Sequence, residues 1–477
     1  MPQPRRIYLL DPKKLPPETI AVTFAKTSRS PLPFDAIAEE LSDERSADFH
    51  EKWVVGYGHS SVAEHAILHI AAENVSRLAI ECIESNRLAS YTEKSSRYQV
   101  WDADHFYCPE EFQEEPLCSL FTHTCTDLFD AYQQAYAVIS QGLTQSLERK
   151  DGESTRGFQT RVRATSADVC RYFLPASALA NVGISINARA LEHAIVKMLS
   201  HPLREVQTIG EEIKRKALEH VPTLVKYADP NPYLMSLTEN IVQDSENEMS
   251  SNHTGSDWCN CLWFDEDGDE KVLTALVYKF GGVSMPQAIK LINALKDHEK
   301  NELINKLTGS MNAHDQPVRE FEYAAAAFHL ILDQGAYFEL KRHRMMTQSV
   351  QAFTPHYGFA IPRLIADNGL SDLYVNMMRK ASAAYETLAK ENPQAAAYVL
   401  PNAFNRSVLL SMNLRSAIHL IKLRCAGNAH FAIRRPTLRI AEILQQRFPL
   451  FKELLAPCTD ESWQSVEKDF FSDTHAQ

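Results

Sequence analysis

The feature that most constrains this chain is that it repeats itself across an acidic seam. The first half carries Arg-Tyr-Phe-Leu-Pro at Arg171 to Pro175, then Asn187-Ala188-Arg189, with His193 four residues past the arginine. The second carries Val399-Leu400-Pro401, then Asn413-Leu414-Arg415, with His419 four residues past. Proline and asparagine are twelve residues apart in both halves. Upstream, His59 precedes Glu64 by five and Arg87 by twenty-eight, while His314 precedes Glu320 by six and Arg344 by thirty. Two diverged copies of one unit is the simplest account. A length of 477 residues, about three times an ordinary domain, has room for both.

The seam is where the charge lies. Asp229 to Lys271 holds eleven acids and one base, so the formal charge of -12 falls mostly there, and Pro and Gly break the same stretch. The boundaries expected are a first unit over 1–228, with an insertion at about 102–163, an acidic linker over 229–271, and a second unit over 272–477. Within the linker, Asn240 to Asp257 reads as mobile and Trp258 to Phe264 as aromatic enough to dock on a neighbour. The near-neutral remainder lacks the basic face that broad nucleic-acid binding needs. With no run of eighteen apolar residues, nothing reads as membrane-spanning. Tyr8, Leu9 and Leu10 are too short a run for a signal peptide, so a cytoplasmic protein is expected. Nine cysteines, with Cys259 and Cys261 only one residue apart, suggest neither a disulfide framework nor zinc.

Each copy carries the same coarse elements. Val182, Ile184 and Ile186 alternate with smaller residues as in a half-buried strand, and Asn187 is placed to cap a helix over Ala188 to Leu199. Val408 to Met412 and Leu414 to Leu423 repeat the pair, and Leu203 to His220 and Pro436 to Phe448 read as amphipathic helices. The fold class expected is α/β, rich in helix.

Three clusters could carry chemistry. Lys341-Arg342-His343-Arg344 follows an apolar stretch containing Ala324 to Leu332; it suits phosphates and planar rings, or is simply a basic helix end. Glu93, Ser95 and Arg97 alternate, so on extended chain they share one face that suits an anion or a sugar hydroxyl; an exposed edge strand is the other reading. His59, Glu64, His65 and His69 do not follow the His-Glu-x-x-His order, so no metal is assigned. Neither a Gly-x-Ser-x-Gly elbow nor a Gly-rich phosphate loop occurs.

Taken together, these pieces resemble the flavin-dependent thymidylate synthase family, present twice in tandem. Its Gly-His-x-Ser-x-x-Glu-His segment matches Gly58 to His65. Its Arg-His-Arg-x-x-Ser-x-x-Glu-x-Ser-x-Arg-Tyr segment matches Ser90, Glu93, Ser95, Arg97 and Tyr98 in the first copy, with Ser85-Asn86-Arg87 replacing Arg-His-Arg. The second copy keeps Arg342-His343-Arg344, with Thr347 for the Ser, and replaces the later Glu, Ser and Arg by Val350, Ala352 and Thr354. The losses sort in one direction: Arg342 and Arg424 survive where the first copy has Ser85 and Met198, and Arg171 survives where the second has Ala397.

The resemblance implies two units, each a small, mostly antiparallel sheet with many helices, and one composite site formed between the two halves. It implies a flavin-dependent thymidylate synthase that makes dTMP from dUMP, with 5,10-methylenetetrahydrofolate as one-carbon donor and NADPH-reduced FAD as hydride source. Glu93, Ser95, Arg97, Arg171, Glu339, Arg342 and Arg424 would bind the nucleotide, Arg424 acting catalytically at the uracil edge. Ser61, Glu64, Arg342, His343, Arg344, Asn413, Arg415 and His419 would bind FAD. Glu339 departs from a family Gln and would repel a phosphate unless Arg342 neutralises it. Pro317 to Phe321 lacks the usual His after Glu320. A different pyrimidine substrate, or a noncatalytic nucleotide-binding or scaffold homologue, are the alternatives. Family tetramers imply a homodimer here, a pseudo-tetramer, without nucleic-acid or membrane partners.

Overall fold

The alternation of Val182, Ile184 and Ile186 does build a strand, with those three side chains buried on one face. The computed structural model describes residues 6–27, 30–41, 60–97, 99–102, 105–237, 257–312 and 315–477. His59, Tyr98 and His314 of the motif reading, and residues 240–256 of the acidic stretch, lie outside these. The chain divides into two compact units. One comprises Met1–Lys94, Phe106–Gln113 and Ser177–Ser250; the other comprises Ser95–His105, Glu114–Ala176 and Ser251–Gln477.

In the first unit, β1 (Ile67–Ser76), β2 (Ala89–Glu93) and β3 (Leu179–Asn187) form an antiparallel sheet in the order β1-β3-β2. Ser76 ends β1 and caps the helix Arg77–Glu84, its Oγ accepting from the Ala79 amide at 2.9 Å. Glu205 holds that cap from the helix Arg204–Leu218, accepting from the Ser76 amide at 2.8 Å and from its hydroxyl at 2.6 Å. Asn187 caps the helix Ala188–Leu199 as expected, its Oδ1 accepting from the Ala190 amide at 2.8 Å. Such a cap contributes about 1 kcal/mol.

The second unit repeats this plan. β4 (Cys259–Phe264), β5 (Ala325–Asp333), β6 (Thr347–Val350) and β8 (Asn405–Asn413) form an antiparallel sheet in the order β4-β5-β8-β6. Asp333 caps the helix Gln334–Leu340, and Asn413 caps the helix Leu414–Arg424. The registers coincide: Ile67 faces Asn187 as Ala325 faces Asn413, and Ser90 faces Ser185 as Thr347 faces Ser411. This makes Ser85, Asn86 and Arg87 the counterparts of Arg342, His343 and Arg344. One irregularity separates the copies, a bulge in β1 between Ala72 and Val75 where Asn74 takes a φ of 54°. A separate two-stranded antiparallel sheet pairs β7 (Phe359–Pro362) with β9 (Phe471–Ala476). Every strand pairing among the described residues is antiparallel, so the class is α+β within the α/β expectation.

Within the second unit, the helices Leu117–Ser146 and Ser371–Leu388 pack together. The two Leu-Pro segments exchange bonds reciprocally, Ala176 N–H to Leu400 O at 2.9 Å and Asn402 N–H to Leu174 O at 3.0 Å, with Pro175 and Pro401 facing each other. Such an exchange between equivalent residues is the signature of a local two-fold.

Candidate active site

Four arginines converge on one carboxylate in the second unit. Glu339 lies in the helix Gln334–Leu340, which the β5 cap aims, and its side chain is only 8% exposed. Arg424, on the last turn of the helix Leu414–Arg424, donates to Glu339 Oε2 at 2.6 Å. Burial opposes ionisation of Glu339, but the charges of Arg171, Arg342, Arg424 and Arg97 outweigh it and hold the carboxyl below its ordinary range. Burial depresses the Arg424 guanidinium; Glu339 counters this, and Arg342 and Arg97 add to it. The Arg342 charge favours the ionised Glu339 as expected, and Arg424 adds a direct hydrogen bond. Arg342 is exposed and acts on Glu339 through its charge.

Arg97 comes from the turn after β2. Its guanidinium grips Asp168 at 2.8 and 3.0 Å and reaches Asn428 O at 3.3 Å, while Ser95 Oγ accepts from the Arg97 amide at 3.2 Å. Arg171, only 3% exposed, donates to Gly335 O at 3.2 Å, and its Nε has no hydrogen-bond partner among the described residues. A Cβ on Gly335 would lie 3.2 Å from Arg171 Nη2, so the glycine makes room for that approach. The four guanidiniums stand among three carboxylates, Glu339, Asp168 and Asp333, the last acting on Arg171 through its charge, so cations outnumber anions among these residues.

The histidines add none. Arg424 Nε–H donates to His343 Nε2 at 2.9 Å, leaving the His343 proton on Nδ1. Burial, then Arg424, His419 and Arg342, push the His343 pKa down to about 3. His419 meets His343 edge to face at 5.7 Å and is lowered as well, by burial and by Arg424. Fully buried His430 donates from Nε2 to Asp168 O at 3.0 Å and accepts at Nδ1 from the Ala432 amide, a neutral tautomer. Burial and Arg171 hold it well below its usual range. An anionic ligand suits this positive balance.

Several expected positions do other work. Ser95 and Arg97 lie beyond the end of β2, so with Glu93 they do not share one face of an extended strand. Glu93 pairs with Arg77 at 3.5 Å, both side chains buried within the first unit. Ser61 and Glu64 stand on the turn Ser60–His65, where Glu64 pairs with Arg189. Asn413 spends Oδ1 on its helix cap, leaving its amide N–H groups to donate. Arg415 donates to Pro317 O at 2.8 Å and to Glu322 at 2.9 Å, and Arg344 is half-buried on the turn after Leu340.

The counterpart of Glu64 is Glu322 rather than Glu320. Ala66 O and Ala324 O accept from the first amides of the equivalent helices, Ala188 and Leu414, which sets Glu64 level with Glu322 and His65 with Tyr323. Glu320 pairs instead with Lys279 at 2.7 Å. Asp168, His430 and Gly335 were missed; Asp168 three residues before Arg171 was the one available signal, since that spacing puts both on one helical face.

A family model described as thymidylate synthase complementing protein matches residues 10–223 and 268–450. The chain belongs to this family. The gap between the two matched segments, residues 224–267, takes in most of the acidic stretch. A UPF0159 protein of Chlamydia muridarum is 27% identical over 479 residues, covering 93% of this chain and 90% of its own. Another, of Thermoplasma acidophilum, is 26% identical over 449 residues, covering 86% and 88%. A flavin-dependent thymidylate synthase of Clostridium tetani is 25% identical over 218 residues, 45% of this chain and 83% of its own. The solved flavin-dependent thymidylate synthase of Helicobacter pylori, complexed with FAD and dUMP, aligns with 45% of this chain and 95% of its own at 18% identity and a TM-score of 0.32. The two UPF0159 proteins thus match nearly end to end, and the Clostridium tetani synthase covers under half of this chain.

Proposed function

We propose that the chain is a flavin-dependent thymidylate synthase with one composite site per chain, converting dUMP to dTMP with 5,10-methylenetetrahydrofolate as one-carbon donor and NADPH as reductant. The observation that carries this is the convergence of Arg97 and Arg171 from the first copy with Arg342 and Arg424 from the second around Glu339. A net positive balance suits a nucleotide monophosphate. Ser95, Arg97 and Arg171 bind the phosphate, the unpartnered Arg171 Nε being the donor in reserve. Arg424, oriented by Glu339 and His343, stabilises negative charge at the pyrimidine edge.

The donor set also fits FAD. Arg344 and Arg415 are cations for a diphosphate, His343 and His419 are uncharged rings beside a planar group, and the Asn413 amide can donate. Ser61 and Glu64 are the first unit's candidates for cofactor contact, and Glu93 its candidate for substrate contact. When bound, the flavin supplies the hydride; the residues named here position the reactants and exclude charge of the wrong sign. Glu339 inside an anion site favours a second reading, a flavoenzyme acting on a different pyrimidine nucleotide. The unit boundaries at 228 and 272, the homodimer and the cytoplasmic location belong to the same proposal; among the described residues no helix is long and apolar enough to cross a membrane.

The test is the absorption spectrum of the purified protein titrated with dUMP, followed by dUMP-dependent NADPH oxidation with folate present. A flavin spectrum that responds to dUMP, with dTMP formed, is expected. Flavin without dTMP points to the second reading, and neither flavin nor nucleotide binding overturns both.

A further inference from the structure

Three stretches of the second unit that are far apart in sequence meet at His430, which is buried. Arg97 arrives from the turn after β2; its Nε and Nη2 donate to the two Asp168 oxygens at 2.8 and 3.0 Å, and its Nη1 and Nη2 both reach Asn428 O at 3.3 Å. Asp168 stands on the last turn of the helix Thr155–Cys170, where the final carbonyls run out of intrahelical donors. His430 Nε2–H supplies a donor to one of them, Asp168 O, at 3.0 Å. Arg171 opens the next turn, Arg171–Phe173, so the same bond steadies backbone that carries both Asp168 and Arg171. On its other side the imidazole accepts at Nδ1 from the Ala432 amide at 3.1 Å, capping the helix Phe431–Arg447. The rings of Phe431 and Tyr172, with centroids 4.1 and 6.2 Å away, hold its plane.

We propose that His430 is a positioning residue for Arg97: through Asp168 on one side and the Asn428 carbonyl on the other, it fixes the direction in which that guanidinium meets an anion. Asn428 is exposed, on a short loop between Arg424 and His430 with Gly427 beside it, so its carbonyl is placed by the anchors of the loop and not by its own burial. An uncharged donor is what the place admits. Burial and the charges of Arg171 and Arg97 oppose a second proton on the ring, and that proton would also remove the acceptor of the Ala432 amide. The capping bond by itself makes His430 an ordinary helix start; the Nε2 bond is the one that reaches Arg97, and the two nitrogens can be tested apart. The consequence for dUMP rests on the arginine cluster being a nucleotide site, whereas the hold on Arg97 does not.

The experiment compares wild type, His430→Asn and His430→Gln in the full chain, with circular dichroism to confirm that each is folded. Asparagine keeps an acceptor at the Nδ1 position for the Ala432 amide and is too short for Asp168 O; glutamine keeps a donor at the Nε2 position and gives up the cap. Phenylglyoxal labelling of Arg97, quantified by peptide mass spectrometry against exposed Arg87, reads how firmly the guanidinium is held, and equilibrium dialysis reads dUMP and inorganic phosphate binding. One lost hydrogen bond of this kind shifts an equilibrium about three- to tenfold, so His430→Asn should label faster at Arg97 and bind dUMP more weakly by that factor. His430→Gln should stay within about twofold of wild type in both, and unfold at lower urea for its lost cap. Arg97 labelling at the wild-type rate in His430→Asn, or as fast in His430→Gln as in His430→Asn, would overturn the proposal and leave His430 a helix cap. Labelling in the expected order, with wild type binding neither dUMP nor phosphate, would sustain the positioning of Arg97 and overturn the nucleotide reading of the site instead.

Discussion

Replacing Glu339 by glutamine removes one negative charge from the centre of four guanidiniums and leaves the shape almost unchanged. The positive balance of the cluster rises by one charge. At an 8% exposed site screening is weak, and one extra net charge acting on a bound phosphate at an effective dielectric of ~20 is worth about 1.5 to 3 kcal/mol, roughly ten- to a hundredfold in affinity. Nucleotide monophosphate binding should therefore tighten by that factor. Turnover should fall, because Arg424 loses the partner that orients it. Stability should fall by about 3 kcal/mol or more, since a buried pair is broken from one side. The wild-type carboxyl sits below its ordinary value, so its stabilisation is present above about pH 4.3 and is lost as the pH falls through the folded pKa; the variant lacks that acid-side loss. Equilibrium dialysis with dUMP and with inorganic phosphate, kcat from NADPH oxidation, and urea melts at pH 3 to 7 read these effects. Weaker anion binding in Glu339→Gln would refute the view that Glu339 competes with the ligand for the arginines.

Arg97→Ala and Arg342→Ala, in different copies, should each weaken dUMP about ten- to a hundredfold, with the double variant losing less than the sum; Arg87→Ala should barely matter, and strict additivity would count against one composite site. Asp333, fully buried, is raised to about 6 by burial, so the folded state takes up a proton that the unfolded chain releases. Wild-type stability should therefore gain between pH 6 and 4 relative to Asp333→Asn, in paired denaturant melts, and identical pH profiles would refute this. Asn187→Ala and Asn413→Ala should each cost about 1 kcal/mol as lost caps, and Asn413→Ala should in addition release flavin on dialysis; equal flavin retention would reduce Asn413 to a cap.

Periodicity and spacing carry what is local. The alternation in Val182 to Ile186, the Asn187 and Asn413 caps and the matching of Ser85-Asn86-Arg87 to Arg342-His343-Arg344 all depend on backbone geometry within a few residues, which composition encodes directly. The identity of Glu64's counterpart needed β-sheet register, because two glutamates two residues apart are equivalent to a motif and opposite in a folded turn. The packing of residues 95–105 and 114–176 with the second half depended on burial of apolar faces far apart in sequence. That packing alone brings Asp168 and His430 to Arg97 and turns Glu339 from a suspected repulsive neighbour into the counter-ion of Arg424, since charge compensation acts over a few ångströms of space and leaves no trace in the spacing of residues along the chain.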